Sequence, residues 1–188
     1  MTILAINGIG RIGKNVLKFL LEANMNVKLI NDSIGNTDIH RHLLEFDSVH
    51  GRWKANFTNN KESISINNKR LTFTNFKKIE DLHLDNIDIV LDCTGAYKSY
   101  KKLEPYFDKG VKKVIVSAPV TDSKIANLVY GINHHIYDKS FHKIVTAASC
   151  TTNCLAPIIK VVHENIGIVH GSITTIHNVT NTQTIVDR

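Results

Sequence analysis

Apolar residues follow two rhythms along this chain, and the change from one to the other marks its elements. "TILAIN" (2–7) is a short apolar run ending in "GIGRIG", after which Val16, Leu17, Phe19, Leu20 and Leu21 recur at helical spacing. "NVKLIND" (26–32) reads as a second strand. Strand, glycine turn, helix and strand in that order make the first βαβ unit of a dinucleotide-binding sheet. "TDIHRHLLEF" (37–46) has helical spacing, and "ESISINNKRLTFT" (62–74) alternates about Asn67-Asn68, which predicts a hairpin. "IDIVLDCTG" (87–95) and "KKVIVSAP" (112–119) are near-continuous apolar runs on either side of a helix-like "YKSYKKLEPYF". Such runs suit parallel strands buried on both faces. "NLVYGIN" and "KIVTAAS" predict further strands, the second ending where Cys150 begins. "CTTNCLAPIIKVVHENIG" predicts a helix with a kink or break at Pro157, and "HGSITTIHNVT" opens another strand.

The fold class expected is α/β: a Rossmann-type doubly wound, mostly parallel sheet, followed by the start of a second, α+β domain. The boundary falls near residue 149, giving a dinucleotide-binding domain over 1–149 and the beginning of the next over 150–188. So short a second segment rarely builds its own core, so it is expected to be incomplete.

Composition narrows the classes. The chain has 188 residues, of which 43% are hydrophobic, enough for a sizeable core. Its 23 Lys+Arg against 17 Asp+Glu give a formal charge of +6. The basic pairs Lys77-Lys78, Lys101-Lys102 and Lys112-Lys113 are scattered, which reads as a solvated surface or a preference for phosphorylated ligands rather than a nucleic-acid footprint. Three cysteines, an odd and sparse set with no signal peptide before them, argue for a reducing cytoplasm. No apolar run approaches the ~18 residues of a membrane span.

Gly8, Gly10 and Gly13 form G-x-G-x-x-G between a strand and a helix. The first allows a tight turn, the second lets backbone approach a pyrophosphate, and the third lets helix pack close to strand. Asp32 closes the next strand, where a carboxylate accepts hydrogen bonds from a ribose 2′-OH and repels a 2′-phosphate; NAD is favoured over NADP. Thr94-Gly95 and Ser117 end two further inferred strands, at the edge where a cofactor lies in open α/β sheets. Cys150 and Cys154 lack the two close ligand pairs typical of zinc, so no metal is expected. Cys154 and Cys93 read as packing residues. Cys150 follows a strand, enters a helix and has Ser149, Thr151 and Thr152 beside it. A helix N-terminus and a nearby imidazole would favour its thiolate. Spacing cannot choose that imidazole among ten histidines, and composition alone leaves a buried, inert Cys150 the stronger reading.

Taken in order, "INGIGRIG", "FDSVHGRW", "SAP", "ASCTTNCLAP" and "TTIHNVTNTQ" resemble the phosphorylating glyceraldehyde-3-phosphate dehydrogenases over about the first half of a family member. The "SCTTNCLA" stretch is highly specific; the glycine pattern is not. The resemblance implies a catalytic domain from residue 150, Cys150 as nucleophile and His177 as base. It implies oxidation of glyceraldehyde 3-phosphate through a Cys thioester, hydride transfer to NAD, and release of the acyl group to inorganic phosphate. Ser149, Thr151 and Thr180 match substrate- or phosphate-binding positions. Arg11, Ile12, Asp32 and Ser117 match cofactor-contacting ones. A cytoplasmic homo-oligomer, a tetramer in the family, is implied once the rest of the catalytic domain is supplied. Without that rest the chain is expected to have little activity.

Trp53, Asn178 and Asn181 also resemble variants encoded beside an arsenate-efflux transporter, which use arsenate in place of phosphate. Two departures stand out: Asn75-Phe76 replace a common Glu-Arg near the adenine, and Ile9 replaces a commoner Phe. Two other classes compete with the enzyme reading. One is an NAD-binding module with a redox-sensitive cysteine and no turnover; the other is a nucleic-acid binder.

Overall fold

The computed structural model describes residues 1–178. The elements in chain order are β1 (Ile3–Asn7), α1 (Arg11–Glu22), β2 (Asn26–Asn31), α2 (Thr37–Glu45), β3 (Phe46–Asp47), β4 (Gly51–Arg52), β5 (Phe57–Asn60), β6 (Ser63–Ile66), β7 (Lys69–Thr74), β8 (Ile89–Asp92), α3 (Tyr100–Leu103), α4 (Pro105–Asp108), β9 (Lys113–Val116), β10 (Ala126–Asn127), β11 (Ile144–Thr146) and α5 (Cys150–Asn165). Nine strands form one sheet in the order β10-β11-β9-β8-β1-β2-β7-β6-β5. From β10 across to β7 every neighbour is parallel; β6 and β5 add antiparallel at one edge. The chain leaves β1 for β2 on one side and later returns to β8 on the other, so the order switches at the β1–β8 pair. The expected α/β, Rossmann-type sheet is present.

Burial explains why the central runs are apolar on consecutive residues. Leu4 and Ile6 pack with Leu17 and Leu21 of α1 and with Ile30, whereas Ala5 packs with Val90, Val114, Leu103 and Tyr106. Each central strand therefore feeds two cores, one per face. The hairpin β6–β7 turns at Asn67-Asn68, whose φ of 48° and 66° are the two positive values a two-residue type I′ turn requires.

Several expectations need correction. "NLVYGIN" contributes only the last residue of the two-residue β10. Beyond it Asn133 takes over the backbone groups, accepting from Val129 N (2.7 Å) and donating to Asn127 O (3.0 Å), a local alternative to a ladder. The helix-like stretch before β9 splits in two, with Pro105 opening α4. Pro157 does not break α5, which runs through it. That helix has no buried residue, so water can serve the carbonyl that proline leaves unpaired. Residues 170–178 form no strand, and the remainder of "HGSITTIHNVT" lies outside the described residues. Cys154 is exposed rather than packed, because α5 stands away from both cores. The short strands β3, β4 and β5 went unanticipated.

Candidate active site at the carboxyl edge of the sheet

Backbone hydrogen bonds carry the parallel ladder one step past the strand ends. Gly8 N donates to Asn31 O (2.8 Å), Cys93 N to Asn7 O (2.7 Å), Ser117 N to Asp92 O (2.9 Å) and Ala147 N to Val116 O (2.9 Å). The glycine turn, Thr94-Gly95, Ser117 and the 147–149 turn thereby follow one another along a single edge. Residues dispersed over the sequence are brought together by register alone.

The three glycines divide their work as the motif implies. Gly8 has φ +86°, and a Cβ there would sit 2.8 Å from Cys93 C and Thr94 N. A Cβ on Gly13 would come within 1.9 Å of Gly8 O, so α1 rests directly on the turn. A Cβ on Gly10 would meet nothing within 4 Å. The space over Gly10 is thus open to a ligand, while the space beneath the other two is filled by protein. No side chain caps α1 and no acidic residue lies in its first turn, so its positive end is left for an anion. Arg11 and Ile12 are exposed on that first turn. The Asp32 carboxylate is fixed by two amides, Oδ2 accepting from Ile9 N (2.9 Å) and Oδ1 from Ile34 N (3.1 Å). A carboxylate has about four acceptor sites, so capacity for a ribose hydroxyl remains. These features fit NAD: an open approach for pyrophosphate and an oriented carboxylate for the ribose.

Beneath this edge lies a polar chain that motif reading missed. Thr74 Oγ1 donates to Asn31 Oδ1 (2.8 Å), Asn31 Nδ2 to Asn7 Oδ1 (2.8 Å), Asn7 Nδ2 to the Tyr106 hydroxyl (2.6 Å), and that hydroxyl to Asp92 Oδ2 (2.7 Å). Asp92 Oδ1 accepts from Thr94 N and Oγ1 (3.1 and 2.7 Å). Burial pushes the Asp92 carboxyl above its ordinary range, opposed by the hydrogen bonds from Tyr106 and Thr94. The signal was legible: three apolar runs end in Asn7, Asn31 and Asp92, polar residues that register pairs side by side.

The second half of the site forms where β11 gives way to α5. Ala148 takes φ 55°, a left-handed conformation unusual for a side-chain-bearing residue, and this turns the chain sharply into the helix. Ser149 caps α5, accepting from Thr152 N (3.1 Å), and its hydroxyl also bonds those of Thr151 (3.0 Å) and Thr152 (2.7 Å). Asn153 Nδ2 donates back to Ala147 O (2.7 Å) and Ser149 O (2.9 Å), tying helix to turn. Cys150 is the first helical residue, and its Sγ lies 3.3 Å from His177 Nε2. His177 Nδ1 sits 2.6 Å from Asn178 O, which as an acceptor orients Nδ1 as the donor and leaves Nε2 toward sulfur. The hydrogen bond from His177, with that of the Thr151 amide, holds the Cys150 thiol below its ordinary range. The same contact, with the Asn178 carbonyl, raises the imidazole. Cys93 is the opposite case: burial pushes its thiol up to about 11. A cleft of about 700 Å³ opens over this pair, lined by Cys150, Thr151, Cys154, Ile159, Thr175 and His177 among others. Of the expected site residues, Thr180 lies outside the described residues, as does Asn181.

A thiol and an imidazole in hydrogen-bond contact at a helix N-terminus make a competent nucleophile, and the adjoining hydroxyls suit an anionic substrate. Residues 2–100 match the glyceraldehyde 3-phosphate dehydrogenase NAD-binding domain, and residues 149–188 match the C-terminal domain of the same family. Glyceraldehyde-3-phosphate dehydrogenase 3 of Nostoc sp. is 45% identical over 185 residues, covering 97% of this chain and 55% of that protein. The glyceraldehyde-3-phosphate dehydrogenase of Pseudomonas aeruginosa is 42% identical over 194 residues, covering 100% of this chain and 57% of its own length. The chain therefore spans a little over half the length of the curated relatives it matches. No helix among the described residues is long and apolar enough to cross a membrane. With 99 residues matched by its NAD-binding model and relatives near 40% identity along the whole chain, this protein belongs to the glyceraldehyde-3-phosphate dehydrogenase family and carries its NAD-binding domain.

Proposed function

We propose that the chain carries the nucleotide half and the nucleophile of an NAD-dependent, phosphorylating oxidation of glyceraldehyde 3-phosphate. The observation that supports this most is the 3.3 Å contact between Cys150 Sγ and His177 Nε2 at the start of α5. In this reading the Cys150 thiolate attacks the aldehyde carbon, forming a C–S bond and an alkoxide that takes a proton to give the hemithioacetal. His177 Nε2 then removes the hydroxyl proton as the carbonyl re-forms to a thioester. NAD, when bound, supplies the hydride acceptor for that oxidation. Inorganic phosphate attacks the thioester, and sulfur leaves as the thiolate, restored to its contact with His177. Ser149, Thr151 and Thr180 are assigned to substrate or phosphate. Gly8, Gly10, Arg11, Ile12, Gly13, Asp32, Thr94, Gly95 and Ser117 are assigned to NAD.

Arsenate is near-isosteric with phosphate and is included as a second acyl acceptor. The domain division at 149/150 is part of the proposal, supported by the sharp turn at Ala148 and by the start of the C-terminal match at residue 149. So are a homo-oligomeric assembly and a cytoplasmic location, the latter on the strength of three unpaired cysteines.

The test is NADH formation from glyceraldehyde 3-phosphate with phosphate, then with arsenate. It is run on the purified chain alone and with a relative's remaining C-terminal portion added. Because misplacement of reactants by about 1 Å costs about a hundredfold, the second arm is expected to be the faster. Turnover abolished by Cys150→Ser supports the reading. NAD binding with no Cys150-dependent turnover in either arm would favour a cofactor-holding module instead.

A further inference from the structure

The loop after β2 carries the Asp32 carboxylate, and three of its carbonyls are held from outside. Asn75, just past β7, donates its Nδ2 to Asp32 O (2.6 Å) and to Gly35 O (3.2 Å), bridging the two ends of the loop. His40, on α2, places Nε2 2.7 Å from Ile34 O, between those ends. A carbonyl can only accept, so His40 carries its proton on Nε2. Its Nδ1 is then a buried acceptor, and it has no partner in a ring only 5% exposed. A buried nitrogen left unpaired is unfavourable. This ring bonds the Ile34 carbonyl and packs at a tilt against Phe73, whose centroid is 5.3 Å away. The ring therefore serves the loop. Ile34 N in turn donates to Asp32 Oδ1, so fixing residues 33–35 fixes the carboxylate.

We propose that Asn75 and His40 are positioning residues, a two-sided clamp that aims Asp32 at the adenosine ribose of NAD. The clamp has a preorganising role: without it Ile34 N leaves Asp32 for solvent and the carboxylate must be reoriented on binding. This inference rests on the assignment of Asp32 to the ribose, and its test separates the two.

Dissociation constants are measured for NAD and for its analogue lacking the adenosine 2′-hydroxyl, in wild type, Asn75→Ala, His40→Ala and His40→Gln. Exchange of the Ile34 amide is followed in parallel by NMR. Wild type is expected to prefer NAD. Asn75→Ala should shrink that preference about fivefold, the weight of roughly one net hydrogen bond, and accelerate Ile34 exchange. His40→Ala should do the same, and His40→Gln, which keeps a donor near the Nε2 position, should retain most of the preference. General loss of stability would weaken both ligands equally and leave their ratio unchanged. Should His40→Ala fail to fold, the exposed Asn75 still decides the matter. A wild-type ratio together with wild-type Ile34 exchange in Asn75→Ala overturns the clamp. No preference for NAD in wild type, with Ile34 exchange still accelerated in Asn75→Ala, leaves the clamp standing and overturns the ribose assignment.

Discussion

Alanine at Gly10 and alanine at Gly13 should fail in opposite ways. At Gly10 the backbone is extended with a negative φ of −72°, and the new methyl meets no protein atom within 4 Å. Reduced freedom of the unfolded chain contributes about 0.4–1 kcal/mol, offset by roughly 0.5–1 kcal/mol because alanine caps a helix less well than glycine, so stability should stay within about 1 kcal/mol of wild type. The methyl does fill the approach to the turn. A pyrophosphate held at ~3 Å by backbone amides loses charge-assisted bonds of about 1.5–3 kcal/mol, a fall of roughly tenfold to a hundredfold in NAD affinity. At Gly13 the added carbon would lie 1.9 Å from Gly8 O and 2.9 Å from Gly8 C. Backbone faces it there, not a side chain that can swing away, so helix and turn must part by about 1 Å. Overpacking of this kind costs about 3 kcal/mol, or some 6–12 °C in melting temperature for a chain of this size. Thermal unfolding and NAD titration on both variants measure the two effects. Wild-type NAD affinity in Gly10→Ala, or a wild-type melting temperature in Gly13→Ala, would refute the division of labour among the glycines.

Two further outcomes follow from the same edge of the sheet. NADP should bind at least about tenfold more weakly than NAD because Asp32 faces the added phosphate, and Asp32→Ala should narrow the gap; equal affinities in wild type, by titration calorimetry, would contradict the assignment. Tyr106→Phe leaves the buried Asn7 Nδ2 and Asp92 Oδ2 each without the hydroxyl that now bonds them. It should therefore cost about 2–4 kcal/mol in urea unfolding, and a loss under about 1 kcal/mol would show that the polar chain contributes little.

The sheet was readable because its central strands pack on both faces, and continuous apolar runs such as "ILAI" and "IVL" have few other uses. The hairpin was readable because Asn67-Asn68 suits a turn of two positive φ values. Strands β3 and β4 were not, since two residues carry no period. "NLVYGIN" looked like a strand by hydropathy, but Asn133 and Gly131 (φ +85°) satisfy the backbone locally. On the site, the glycine pattern was legible from its place between strand and helix, whereas composition alone left Cys150 an inert thiol and only the family resemblance put it forward as nucleophile. Spacing could not single out His177, because the contact spans 27 positions and depends on how the segment after α5 folds back. The polar chain from Thr74 to Asp92 escaped notice for a related reason. Thr74, Asn31, Asn7 and Asp92 are each ordinary strand-end residues alone, and they are joined only by register and by the Tyr106 hydroxyl from α4.

Site-resolved alkylation across pH tests most directly whether Cys150 is the activated nucleophile. A thiol reacts as its thiolate, so a lowered pKa moves the onset of labelling to lower pH, and His177, raised by the same contact, is protonated below its own pKa. Both shifts favour the thiolate–imidazolium form of the pair over the neutral form. Brief treatment with iodoacetamide followed by peptide mapping should show Cys150 labelled first, with a midpoint below the ~8.5 of a free thiol. Cys93, pushed up to about 11, should label last, and exposed Cys154 on the same helix is the internal comparison. His177→Ala should move the Cys150 midpoint upward and leave the Cys154 profile unchanged. Identical profiles for Cys150 and Cys154, indifferent to His177→Ala, would contradict the central claim.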